Sequence, residues 1–135
     1  MKTKRAISAL FLVAATYDGI LGIAFLLLPG SLFEWFNVTP PNHPGYIEFP
    51  AMLLVVFAMM FGAIARNPLA NRNLIPFGML LKVSYCTVVI GYWLRGGIPN
   101  MWKPWAVADL VFLALFYASY RRLTTEARLR GTGAA

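Results

Sequence analysis

Six side chains in this sequence could do chemistry: Tyr17, Asp18, Glu48, Lys82, Tyr85 and Asp109. They supply two phenols, three carboxylates and one amine, most of them in or beside apolar runs. An amine beside a carboxylate can form an ion pair, hydrogen-bond a ligand oxygen, or hand over a proton. A phenol can orient any of these. The amine is the hardest to accommodate. Lys82 lies in the middle of residues 75–94, an apolar stretch long enough to cross a bilayer. A cation at that depth costs about 3 kcal/mol on insertion scales. It needs a counter-charge, a hydrated cavity, or a route by which the side chain snorkels to the interface.

The elements that must position these groups read as membrane spans. Of 135 residues, 59% are hydrophobic and only 13% charged. A soluble domain carries about 25% charged residues, so too little polar surface remains to cover a globule in water. Four spans are predicted, at residues 6–28, 46–65, 74–94 and 104–120. The expected fold is an all-α, transmembrane four-helix bundle over residues 1–122, with a basic, frayed tail at 123–135.

Charge distribution orients the bundle. Lys2, Lys4, Arg5, Arg66, Arg72, Arg121, Arg122, Arg128 and Arg130 flank one side, and only Arg95 and Lys103 the other. Nine cations against two is the positive-inside pattern, which places both the N and C termini in the cytoplasm. The net charge of +7 is therefore a topology signal, with some affinity for anionic lipid, and no nucleic-acid partner is expected. Trp35, Tyr46, Trp93, Trp102 and Trp105 fall at one boundary and Tyr117 and Tyr120 at the other, as interfacial aromatic belts do.

The first run begins like a signal peptide, with Val13-Ala14-Ala15 resembling a cleavage site. It resumes after Asp18, however, and its twelve Leu, Ile, Val and Phe residues outweigh one acid, so an uncleaved span is expected. Ala15, Gly19 and Gly22 surround Asp18 at helical steps, and small residues admit a neighbouring helix, so Asp18 should face the interior. Pro29-Gly30 ends this span, and residues 31–38 suit a short interfacial helix. Prolines 40, 41 and 44 enforce an extended loop. Pro50 is expected in the first turn of the second span, with Glu48 near its start, either as a helix-start anion or as the mouth of a polar pocket.

Depth relates the charges. With alternating spans and 1.5 Å of rise per residue, Asp18 and Lys82 both fall near mid-membrane and Asp109 about two turns outward. An Asp109–Lys82–Asp18 network opening toward Glu48 follows. One cation facing two acids leaves one negative charge, to be hydrated or neutralised by a proton. Such a network can be purely structural, fixing helix register, or can line a functional pocket. Cys86 is alone, His43 sits in the proline-rich loop, and the methionines are scattered, so no metal centre is expected.

Tyr17-Asp18-Gly19-Ile20-Leu21-Gly22, the closing Pro29, Ala65-Arg66-Asn67-Pro68, Lys82, and Asp109 followed by aromatics together form a pattern. Over residues 6–120 it resembles the small bacterial four-helix membrane proteins grouped around DoxX and the BphX-like proteins. The resemblance implies a multi-pass protein of the bacterial cytoplasmic (inner) membrane. Some such proteins accompany redox or catabolic enzymes, and the name-giving subunit belongs to a quinone-linked oxidoreductase. No cofactor motif is present to carry over.

The expected function is non-enzymatic. The protein would bind a small amphipathic ligand (a quinone or lipid-like molecule), or serve as a membrane subunit of a homo-oligomer or larger complex. Lys82 would hydrogen-bond a ligand oxygen, Asp18 would hold Lys82, and Tyr17, Tyr85, Asp109 and Glu48 would line the pocket and its entry. The alternatives are an intramembrane isomerase or oxidoreductase using a carboxylate against Lys82, and a proton-coupled transporter.

Overall fold

The computed structural model describes residues 2–133 and is all-helical over them. Helix α1 spans Lys2–Leu27, α2 Pro29–Trp35, α3 Gly45–Arg66, α4 Ile75–Leu94 and α5 Lys103–Thr132. Short 3-10 turns at Arg72–Leu74 and Asn100–Trp102 lead into α4 and α5. The helices α1, α3, α4 (with its leading turn) and α5 (with its own) are each long and apolar enough to cross a membrane. Their outward faces are greasy: Leu12, Ile20, Val56, Met59, Leu80 and Val111 are all exposed. An apolar exterior around a filled core is the pattern of a protein whose solvent is lipid.

Three local expectations need revision. Pro29 does not merely end α1; it occupies the first turn of α2, where its missing N–H costs nothing. The chain then reverses at Asn37, whose φ of 53° is left-handed. Pro50 is not in the first turn of α3 but lies inside the helix, because the helix already begins at Gly45. Proline has no N–H to give the carbonyl of Tyr46 one turn earlier. The tail does not fray after residue 122. Helix α5 continues to Thr132 because Leu123 is buried against the start of α1 and Glu126 bridges Lys4 at 3.1 Å and Arg130 at 2.8 Å.

The long helices form two close pairs, α1 with α3 and α4 with α5. Gly22 allows the first approach: a Cβ there would stand 2.7 Å from the Ala51 carbonyl oxygen. Between the pairs lies a layer of large side chains. At the basic end this layer is aromatic, with Phe11 stacked on Phe116 at 4.6 Å and Phe61 tilted against Phe116 at 5.2 Å. Ile7, Ile64, Ile75 and Leu123 complete this cluster. At the opposite end Phe25, Phe33, Ala51 and Met101 form a second, smaller one. The charged residues lie between the two.

Candidate functional site: a buried ion cluster beside an apolar cavity

Lys82 is the centre. Its ammonium donates to both oxygens of Asp18, at 2.9 Å and 3.1 Å, joining α4 to α1. Asp109 Oδ1 of α5 stands 2.9 Å away from the same nitrogen. This second contact lacks the alignment of a hydrogen bond, and that oxygen has no hydrogen-bond donor among the described residues. Lys82 and Asp18 are each 1% exposed and Asp109 5%. The ion cluster thus ties three of the four long helices together across the gap between the two pairs.

Aromatic rings enclose the remaining faces of the ammonium. Tyr17 and Phe112 have ring centroids 5.4 Å from Lys82 Nζ, and Phe61 lies at 5.8 Å. Such contacts are worth about 0.5–2 kcal/mol each, more when desolvated. Gly78, one turn before Lys82, admits the Phe61 ring: a Cβ at Gly78 would meet it at 2.5 Å. The small residues on α1 act likewise. Gly19 faces Ala58 across the α1–α3 seam, leaving Asp18 turned inward as its spacing predicts.

Beside this cluster opens a cavity of about 480 Å³. Tyr17, Asp18, Tyr85 and Asp109 line it. So do Trp102 and Trp105, which sequence reasoning read only as belt residues. Leu21 and Phe25 of α1 and Ile47, Pro50 and Leu54 of α3 add apolar walls. The cavity reaches the outside between α3 and α4: Leu53 on one helix and Ser84 and Val88 on the other line it and are exposed. These two helices barely touch each other. They meet around Phe61 and Gly78, which closes the cleft at the basic end.

The sequence-predicted site residues divide. Asp18, Lys82 and Asp109 come together as one network. Lys82, however, does not line the cavity. Its three near oxygens and three rings occupy it, so it holds the carboxylates in place and is not free to meet a ligand oxygen. Tyr85 does line the cavity, but its hydroxyl proton goes to the Trp102 carbonyl at 2.8 Å, fixing the turn before α5. Glu48 is exposed on the first turn of α3 and is not part of the cavity wall. It is not placed to pass a proton to Lys82. Cys86 is buried and directs its thiol at the Ala106 carbonyl at 3.4 Å, a packing role between α4 and α5.

Two further polar groups stand out, one on Tyr17, a pocket candidate from the sequence, and one on Trp105, which had no sequence signal as a pocket residue. Tyr17 OH and Trp105 Nε1 are buried without a hydrogen-bond partner among the described residues. Their rings pack 6.3 Å apart. No group of three or more His, Cys, Asp or Glu side chains among the described residues could hold a metal ion. No protein-family model, curated protein or solved structure matches the chain.

Proposed function

We propose that this is a four-span integral membrane protein, with both ends cytoplasmic, that binds a small amphipathic molecule drawn from the bilayer. The observation that carries the reading is the cavity itself. It is a space of about 480 Å³ with mostly apolar walls, within the size range of small-molecule sites. Tyr17 and Trp105, each with a buried polar atom that has no hydrogen-bond partner among the described residues, and Asp109, whose buried Oδ1 has only the ammonium contact, are among the residues that line it. Buried polar atoms without partners are rare in finished cores, and each calls for an explanation. A ligand in the cavity would account for those of the three lining residues; Thr124 Oγ1, also buried without a partner among the described residues, does not line it. The cleft between α3 and α4 supports entry from the side, from lipid.

The ion cluster supports the same reading as scaffold. Lys82 anchors Asp18 and Asp109 at the cavity wall, and the aromatic layer beneath keeps the cleft from collapsing. The residues that carry the resemblance to DoxX- and BphX-like proteins, Tyr17, Asp18, Lys82 and Asp109, are also those at the cluster. That coincidence supports placing the chain with those proteins, in a bacterial inner membrane. The test is to excise the protein with its surrounding lipid in polymer nanodiscs and weigh it by native mass spectrometry under gentle activation. One apolar molecule retained per chain after the annular lipids leave is the expected result. A chain that sheds everything together refutes a built pocket.

A further inference from the structure

We infer that the ligand's polar end is a cation, a quaternary or protonated amine on an apolar body, seated with its charge beside Asp109. This assignment deepens the ligand-pocket reading and rests on it. Its basis is the charge and the wall of the cavity. One ammonium and two carboxylates meet at the cluster, which leaves one negative charge over. The cavity lining is lopsided in the same sense. It includes Asp18 and Asp109, and no Lys, Arg or His among the described residues. Lys82 stands behind that wall. An uncompensated charge in a low-dielectric interior is costly. One arriving cation balances the cluster, two charges against two.

Asp109 is where the surplus can be reached. Asp18 meets the ammonium through both oxygens, and its side chain is 1% exposed. Asp109 meets it through Oδ1 at 2.9 Å, and 8% of its side chain remains exposed, at a residue that lines the cavity. A cation entering through the cavity stands on the side of this carboxylate away from Lys82. Its attraction to the near carboxylate then exceeds its repulsion from the more distant ammonium.

The walls suit a cation as well. Trp105 precedes Asp109 by four residues, so the two share one face of α5, and both line the cavity. The Tyr17 ring packs 6.3 Å from that of Trp105. Tyr46, Tyr85 and Trp102 add further rings to the lining. Aromatic faces attract quaternary and protonated amines. The same chemistry already surrounds Lys82, with the Tyr17, Phe112 and Phe61 rings 5.4–5.8 Å from its ammonium. A neutral head draws little from the surplus charge, and a carboxylate head is repelled by it. A phospholipid headgroup also offers an ammonium, but the phosphate two carbons away brings back the negative charge. The site therefore fits a free amphipathic amine better than a zwitterionic lipid.

The experiment is a binding series on the full chain in nanodiscs, read by calorimetry with empty nanodiscs subtracted. The probes are dodecyltrimethylammonium, whose charge is permanent, the zwitterion dodecylphosphocholine, the neutral 1-dodecanol and 4-octylphenol, and the anion dodecanoate. The cation should bind about tenfold or more tightly than either neutral probe, the size expected of a buried charged contact. The zwitterion should bind more weakly than the cation, and dodecanoate most weakly of all. In Asp109→Asn the cluster is already balanced, so the cation should lose its advantage over 1-dodecanol within that variant.

A neutral probe or dodecanoate binding as tightly as the cation to the unaltered chain would overturn the assignment while leaving the pocket standing. This arm decides the matter even if Asp109→Asn does not fold. The zwitterion binding as tightly as the cation would overturn the choice of a free amine and point to a lipid headgroup. An undiminished cation preference in a folded Asp109→Asn protein would overturn the role of the surplus charge. No binding of any probe would overturn the assignment together with the pocket reading.

Discussion

Replacing Lys82 by methionine separates the two acids that the ion cluster holds. Methionine fills most of the space of the lysine stem and is apolar, so packing in the layer changes little and the loss is that of the charge. Lys82 donates two hydrogen bonds to Asp18 and balances Asp109 by proximity, all at positions hidden from solvent. Removing one partner of a buried ion pair costs about 3–5 kcal/mol, chiefly because the other charge is left uncompensated. The two acids are not equivalent. Asp18→Asn removes the aligned partner but leaves Asp109 beside the ammonium, so a smaller loss of about 1–3 kcal/mol is expected. Asp109→Asn leaves a complete Lys82–Asp18 pair and removes the surplus negative charge, so stability should change by less than about 1 kcal/mol in either direction. Combining Asp18→Asn with Lys82→Met should recover about 2 kcal/mol of the summed single losses. The assay is unfolding in mixed micelles titrated with SDS, followed by tryptophan fluorescence. A Lys82→Met protein as stable as the parent, or an Asp109→Asn protein as damaged as Lys82→Met, would refute the asymmetric cluster.

Three other outcomes follow from the packing. Gly22→Ala should lose about 1–3 kcal/mol in the same titration, because its Cβ would stand 2.7 Å from a backbone oxygen and α1 and α3 would have to part. Ser84→Trp should fill the cleft from its exposed lining position and abolish the retained molecule in native mass spectrometry. As a surface substitution, it should cost less than about 1 kcal/mol in stability. Acid should loosen the end of α5. The Lys4 hydrogen bond, with Arg130 assisting, holds the Glu126 carboxyl below the usual glutamate range. A depressed folded value gives stability that is full above the ordinary one and is lost as pH falls through the folded one. Amide exchange in the last turns of α5 should therefore accelerate, relative to α1, only on acidification below the ordinary glutamate range.

Periodicity was the readable part of this chain. Long apolar runs punctuated by proline and glycine name α3 and α4 to within a residue at each end, but leave out the first four residues of α1 and the last twelve of α5, which are largely polar. The meeting of Asp18 with Lys82 was also legible, since depth follows from counting residues at a fixed rise. What counting could not supply was azimuth. Whether Lys82 faces the cavity or stands behind its wall depends on how α4 rotates against α5. That rotation depends on contacts such as Phe61 over Gly78 that join distant parts of the chain. The same holds for Trp105, whose ring reads as an interface anchor in sequence and turns its N–H inward in the structure. Glu48 stayed ambiguous because a helix-start acid and a pocket mouth look alike in sequence; one residue of rotation separates them. The helical tail was missed because its stability comes from Lys4, at the other end of the chain, reaching Glu126.

The central claim is that the cleft between α3 and α4 holds a molecule taken from the bilayer. The most direct measurement is photolabelling in native membranes with an alkylphenol bearing a diazirine, followed by peptide mapping of the adducts. Adducts should concentrate on residues 46–54 and 81–88, the two sides of the cleft, be displaced by excess unlabelled 4-octylphenol, and be lost in Ser84→Trp. Adducts spread evenly around the exposed faces of all four long helices, Val107 and Leu115 included, and insensitive to competition would contradict it.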